Sequence, residues 1–421
     1  MASPHNFIPL KEFAGWTQSP SRDEILMTMH LVLAAQVAAW IVALSWASRV
    51  LAAYVGLPNI PDLLLPEHDM SPSGAPMLVV IVPARNEQAH IRACVESLLA
   101  QDYARMRIIA VDDRSTDGTG AELDALAAAN PERLTVMHIT QLPAGWLGKS
   151  HAMHTAAEEA MTRYRADYLL LTDADIYFRP DALRRSLAHA VEVRADHLVL
   201  APTMISRRWD EAAVLGFFQI FGLWAARAWR VANPKTRDAL GIGAFNLVKV
   251  EAYRQVGGFA AFPLAVLEDL TLARRVKSAG LRPRVAFGID LVQVHWAAGT
   301  AGLVGVMTKN IFAALNYRVA LVFCGVAWMA AFCLAPFVAV WVPGFTLPAA
   351  IALVSMAWGY VLLRRISNLR ARNVLFAPYA ILVFMYALVR SMVMTLRQGG
   401  VIWRGTFYSL AELRRNTEPL L

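Results

Sequence analysis

The chain contains stretches too long and too apolar for an ordinary soluble core. Ile25–Ser48 carries no Asp, Glu, Lys or Arg, and neither does Val319–Leu363. At 1.5 Å per residue the second run would make about 67 Å of helix, over twice the ~30 Å hydrocarbon core of a bilayer. It therefore divides into two spans, broken near Val342-Pro343-Gly344. A further run, Val374–Leu396, contains only Arg390, near enough to one end for its guanidinium to snorkel. These runs predict an N-terminal segment (1–24), a transmembrane anchor (25–48), about three transmembrane helices (319–396) and a basic tail (397–421). The first run starts only at Ile25 and meets no small-residue cleavage site before Tyr54, so it reads as an anchor, not a signal peptide. Hydrophobic residues make up 57% of the 421 and charged residues 17%, against about 45–50% and about 25% in soluble proteins. That excludes a disordered chain and an ordinary cytosolic enzyme. Cys94, Cys324 and Cys333 are too few for a disulfide framework and lack metal-ligand spacing. The net charge of +8 suits an anionic partner, a membrane surface or a polyphosphate.

Loop charges set an orientation. Pro343–Thr346 has no Lys or Arg, whereas Arg364, Arg365, Arg370 and Arg372 cluster in the next connection. The positive-inside rule puts that loop in the cytoplasm, and counting back two spans puts the preceding domain there too. The expectation is a multi-pass protein of the cytoplasmic (inner) membrane. Three C-terminal spans would leave Arg397, Arg404, Arg414 and Arg415 outside, against the rule. Either the last run is re-entrant or interfacial, or the rule fails there.

Between residues 72 and 300 charges return and short β-rich runs alternate with helical patterns, the pattern of an α/β domain with a mostly parallel sheet. Met77–Val82 reads as a buried strand ending in Pro83-Ala84-Arg85-Asn86-Glu87. Ligands of open parallel sheets sit beyond the carboxyl ends of the strands, where Arg85 and Glu87 fall. Arg107–Val111 runs into Asp112 and Asp113, costly to gather at a buried strand end unless something binds them. Carboxylates accept from an imide N–H or a ribose hydroxyl. Ser115, Thr116 and Asp117 suit capping of the next helix. Gly145-Trp146-Leu147-Gly148-Lys149 opens another helix and would let a phosphate or base approach closely. His151 and His154, spaced i, i+3, read as packing residues ahead of zinc ligands. Tyr168–Thr172 ends in Asp173-Ala174-Asp175; in an extended segment the two aspartates share a face and can flank one hard cation, Mg²⁺ or Mn²⁺. Gly241-Ile242-Gly243 forms a compact segment before another strand. Glu268-Asp269 starts an amphipathic helix, as an N-cap or, for Asp269, as a general base.

VPARNE (82–87), VDDRSTDGT (111–119), GKSHA (148–152), TDADI (172–176) and LED (267–269), in that order, resemble a family 2 glycosyltransferase of the GT-A (Rossmann-like) fold over about residues 75–300. The GWLGKSHA loop and the C-terminal spans look most like membrane glycosyltransferases associated with hopanoids and glycosylated carotenoids. The resemblance implies nucleotide-sugar contacts at Pro83, Arg85, Glu87, Asp112, Asp113, Lys149 and Asp173, a divalent cation on Asp175 with Asp173, and catalysis at Asp269 beside Glu268. Processive relatives carry a QxxRW motif. Here the nearest candidate starts at Gln398, but Val401 and Ile402 occupy the Arg and Trp places, and Trp403-Arg404 follows late and reversed. Single-sugar addition follows from that absence.

The expected reaction is inverting transfer of one sugar from a nucleotide-diphosphate sugar to a hydroxyl of a membrane lipid, such as a hopanoid, carotenoid or other isoprenoid, with no nucleic-acid partner. Rival readings are a polysaccharide or polyprenyl-phosphate glycosyltransferase and a non-catalytic membrane scaffold with a vestigial sugar-nucleotide fold. Ala301–Arg318, bearing Lys309, reads equally as an interfacial helix leading the acceptor in or as the run-in to the next span. Gly399–Gly405 reads as interfacial too, with Trp403 at headgroup depth.

Overall fold

The computed structural model describes residues 21–364 and 366–416. Most of the 1–24 segment, Arg365 of the basic loop and residues 417–421 of the tail lie outside the described residues. The strands are β1 Leu78–Ala84, β2 Met106–Asp113, β3 Leu134–Ile139, β4 Tyr168–Leu171, β5 Ile176–Phe178, β6 His197–Leu200, β7 Thr203–Met204, β8 Asn246–Lys249, β9 Pro283–Ala286, β10 Val292–Val294, β11 Gly400–Trp403 and β12 Thr406–Ser409.

Seven of them form one sheet in the order β3-β2-β1-β4-β8-β6-β9. Only β8 runs antiparallel to its neighbours. The apolar run of β1 is buried along its whole length because helices cover both faces of the sheet. Strand alternation divides it between two cores. Leu78, Val80 and Val82 pack with Ile91, Val95, Leu98 and Leu187, whereas Val79 and Ile81 pack with Ala152, Met153, Ala156 and Leu272. Each such Val or Ile contributes about 1.5–3 kcal/mol by burial. After β1 the chain moves outward through β2 and β3, then returns to the other side of β1 as β4. The crevice at the carboxyl ends of β1 and β4 is therefore a topological switch point. A smaller sheet, β5-β10-β7, lies beside it.

Among the described residues, five helical stretches are long and apolar enough to cross a membrane: Arg22–Asn59, Trp209–Arg230, Val319–Ala339, Thr346–Leu363 and Ala371–Gln398. The last pair before the basic loop is parted at Val342–Gly344, with Gly344 in a left-handed turn. Arg22–Gly56 packs along Thr346–Leu363. Its buried Trp46 donates to the Phe332 carbonyl at 2.7 Å.

Trp209–Arg230 was not expected as an apolar helix, because it lies inside the 72–300 domain and is bracketed by Asp210, Glu211, Arg227 and Arg230. Both its ends stay with the domain. Gly299 N–H donates to Glu211 at 2.7 Å, and Asp238, paired with Arg227 and Arg230, holds the far end. Ala377–Gln398 packs on it and on the helix Gly299–Ala314. Ahead of that helix Asn368 donates to Asp290 at 2.8 Å; behind it, the β11–β12 hairpin folds back onto the domain. Three apolar helices thus make a layer against the α/β domain.

Candidate active site

Pro83 is buried in β1, so what it offers the crevice is backbone shape. Beyond it, Asn86 sits in a left-handed conformation (φ 55°) that turns the chain across the strand end. The turn is laced to the loop after β2. Asn86 N–H donates to Ser115 at 3.0 Å, Glu87 N–H to Thr119 at 2.8 Å and Gln88 N–H to Asp117 at 3.2 Å. Asp117 also accepts from the Thr119 hydroxyl and N–H, which is the turn chemistry expected of it.

Alternation along β2 sends its two aspartates opposite ways. Asp113 is buried, accepts from Arg114 at 2.7 and 3.1 Å, and faces Gly148 at the start of the helix Gly148–Thr162. Asp112 faces the other side. It accepts from Ser115 N–H at 3.2 Å and pairs with His138 at 3.1 Å, and His138 also meets Asp124 at 2.9 Å. Only Asp113 of the pair opens onto the crevice. His151 and His154 pack on Trp146, edge-on at 5.5 Å and stacked at 5.0 Å respectively.

Lys149 is the hub. Its ammonium lies 2.5 Å from both Asp173 Oδ1 and Glu268 Oε1. Burial alone would lower its pKa, but the Asp173, Glu268 and Asp269 charges outweigh burial and raise it. Lys149 in turn overcomes the burial of Asp173 and holds that carboxyl below its usual range. Gly241-Ile242-Gly243 carries glycines because its backbone passes against this cluster. A Cβ on Gly243 would strike the Asp173 carboxylate, and one on Gly241 the Asp269 carbonyl.

Asp173 and Asp175 do not lie on a strand. β4 ends at Leu171 and β5 begins at Ile176, so the pair sits in the turn between them, and the shared-face argument from extended geometry does not apply. Burial, then Asp173 and Glu87, push Asp175 up to about 7. It has no ion-pair partner among the described residues. A half-buried carboxyl in so negative a field, with further hard oxygen donors nearby, fits a Mg²⁺ or Mn²⁺ ion. The cluster His68, His189 and Glu192, two of whose members lie on the helix Ala182–Glu192, shares no residue with this crevice.

Asp269 is in the first turn of the helix Glu268–Ser278 and accepts from Leu270 N–H at 2.7 Å. Burial and the adjacent Glu268 raise it to about 6. With Lys149, Gly243, Asn246 and Glu268 it lines a small pocket. The donor-side and base candidates of β1, β2, β4 and this helix therefore surround one crevice, apart from Asp112.

Sequence reasoning missed the groups that reach this crevice from the tail. The two-residue hairpin between β11 and β12 brings Arg404 to Glu87 at 2.7 Å and to the Arg85 carbonyl at 3.3 Å. Thr406 accepts from Arg85 at 3.5 Å, and the Tyr408 hydroxyl accepts from Gly148 N–H at 3.3 Å. Lys309 lies 4.6 Å over the Trp403 ring. Burial, then Lys149, lower the Lys309 pKa. The local signal was present in two β-rich triplets flanking Arg404-Gly405.

The profile described as Glycosyl transferase family 2 matches residues 79–257. A polyprenol monophosphomannose synthase of Mycolicibacterium smegmatis is 32% identical over 217 residues, covering 51% of this chain and 69% of that protein. A 4,4'-diaponeurosporenoate glycosyltransferase of Staphylococcus aureus is 24% identical over 394 residues, 88% of this chain and all of that protein. Among solved structures, a mannosyltransferase from Pyrobaculum calidifontis in complex with GDP-Man and Mn²⁺ is similar with a TM-score of 0.51 and 18% identity, covering 86% of this chain and 99% of that one. That last likeness concerns the fold.

Proposed function

The chain belongs to glycosyl transferase family 2, and from that premise we propose that it moves one sugar, with inversion, from a nucleotide-diphosphate sugar to a lipid held in the membrane beside the domain. The observation that carries this reading is a shared helix. Thr300, Ala301, Val304 and Gly305 of Gly299–Ala314 line one wall of an open, mostly apolar cavity of about 620 Å³; Tyr379, Leu382, Val383, Tyr386 and Arg390 line the other. Ala301, Gly305 and Lys309 follow at i, i+4, i+8 on one helix face, and the Lys309 charge is felt at Asp173 and Glu268. An apolar acceptor lying in the groove would present its polar end to the crevice.

In the proposed chemistry Asp269 takes the acceptor's proton as the new bond forms, a task suited to a carboxyl raised to about 6. Lys149 fixes Asp173 and Glu268 in place, and most of the acceleration comes from such positioning. Asp175 with Asp173 would hold a divalent cation, which when bound supplies Lewis-acid compensation for the charge of the departing diphosphate. Single transfer is supported by the absent QxxRW motif.

A polyprenyl-phosphate acceptor is the second reading. Arg390 lines the groove without an anionic partner among the described residues, and a relative is named as a polyprenol monophosphomannose synthase.

The membrane arrangement we propose has three crossings, Arg22–Asn59, Val319–Ala339 and Thr346–Leu363. Trp209–Arg230 and Ala371–Gln398 lie in the plane, because both ends of each return to the domain. On this reading the run at 374–396 is interfacial, and the domain, the basic loop and the described tail share one side. The positive-inside rule makes it cytoplasmic. The test of function is to incubate membranes containing the protein with labelled nucleotide sugars and identify products by mass. A lipid gaining one hexose-sized increment supports the reading; label only in polymer, or none from any donor, rejects it.

A further inference from the structure

The β11–β12 hairpin crosses the crevice from the membrane half of the chain. We propose that Arg404, at its tip, is a donor-binding residue whose guanidinium grips the diphosphate of the nucleotide sugar while the hairpin walls in the donor. This rests on the nucleotide-sugar reading above.

The turn itself argues for a side-chain role. Arg404 (φ 48°) and Gly405 (φ 78°) are both left-handed, as a two-residue turn of this hand requires. The first position favours Asn, Asp or Gly, since a larger side chain gains nothing there and its Cβ is crowded. An arginine therefore serves the fold poorly at this point, and its use lies in where the guanidinium goes. It goes to Glu87 and the Arg85 carbonyl, at the carboxyl end of β1.

Charge accounting points the same way. Lys149 is already shared by two carboxylates, and Arg114 is held by Asp113. A diphosphate entering this crevice meets Arg85, Arg404 and Lys309 as the cations not tied to a fully buried acid: among the described residues Arg85 reaches only the Thr406 hydroxyl, and Arg404 pairs with the half-buried Glu87. Lys309 comes from the acceptor-groove helix and stacks on Trp403, next to Arg404 in the chain. The Arg404 side chain is 35% exposed, so it can swing from Glu87 to a ligand. Its planar fork matches phosphate oxygens. Two residues past Thr406, the Tyr408 hydroxyl covers the first N–H of the helix Gly148–Thr162, which has no side-chain cap. An incoming phosphate is the natural partner for such an N–H, and the hairpin that carries Tyr408 is what would shift to admit it.

Because Gly399 ends the groove-lining helix Ala377–Gln398 and leads directly into β11, donor and acceptor sites are walled by consecutive pieces of chain.

The experiment uses the full chain in detergent, with calorimetric titration of UDP, GDP, ADP, CDP and dTDP and of the matching monophosphates, magnesium present. Arg404→Asn places the turn's preferred residue at the tip, so its melting temperature should equal or exceed that of the parent. Its affinity for the preferred diphosphate should fall about ten- to hundredfold, as for loss of a charged hydrogen bond, with monophosphate affinity unchanged. Arg404→Lys should restore part of the loss. Unaltered diphosphate binding by Arg404→Asn, or equal losses for mono- and diphosphate, overturns the proposal alone. If the parent protein binds none of the five diphosphates, the donor reading falls and the role of Arg404 with it.

Discussion

Replacing Asp269 by Asn removes one negative charge and one proton acceptor while keeping an oxygen that can accept from Leu270 N–H. Lys149 retains Asp173 and Glu268, so the hub keeps both of its ion pairs. Donor affinity should therefore change little. Turnover should drop about 10²- to 10⁴-fold, the usual contribution of a general base. The parent enzyme carries an independent signature. With Asp269 at about 6, the ionised form outnumbers the protonated form roughly ten to one at pH 7 and is outnumbered roughly ten to one at pH 5. Activity is present above the raised pKa and is lost as pH falls through it, by about tenfold between pH 7 and 5. The assay is initial-rate transfer to a lipid acceptor at saturating donor and divalent cation, so that titration at Asp175 does not add a second limb. Two results refute the reasoning: a parent rate that is flat from pH 5 to 7, or an Asp269→Asn variant that turns over like the parent.

Lys149→Met should leave the buried Glu268 without its cation, costing about 3–5 kcal/mol; a thermal unfolding midpoint equal to the parent's would contradict the hub. Asp175→Ala should abolish cation-dependent transfer, and full activity of the parent in chelator would remove the metal from the mechanism. Arg390→Leu should raise the acceptor KM and leave the donor KM alone if the groove holds an anionic lipid head; the reverse pattern would dissociate the groove from the acceptor. In a cysteine-free background, Leu347→Cys should be labelled by an impermeant thiol reagent from the side opposite to Arg397→Cys, and labelling of both from one side would exclude the three-crossing arrangement.

Parts of the molecule legible in the sequence are those where periodicity and burial agree. Met77–Val82 announces a central strand because nothing polar interrupts it, and a parallel strand covered on both faces needs that composition. The polar residues just past it and past β4 follow from the switch-point rule. Local pattern failed where the outcome depended on distant partners. Asp112 and Asp113 are indistinguishable as neighbours, yet alternation hands one to His138 and the other to the crevice. Trp209–Arg230 and Ala371–Gln398 satisfy every requirement of length and hydropathy for a crossing. What would separate an in-plane helix, as proposed for both, from a spanning one is where its two ends are tied, and the ties run from Glu211 to Gly299, from Asn368 to Asp290 and from Arg404 to Glu87. The tail posed the sharpest conflict, since a crossing at 374–396 would have stranded its arginines opposite the basic loop. An interfacial helix removes that conflict, and the same geometry carries Arg404 to the mouth of the crevice. On the arrangement proposed above, charge topology and site assembly are two consequences of one helix that leaves the domain's side of the membrane at neither end.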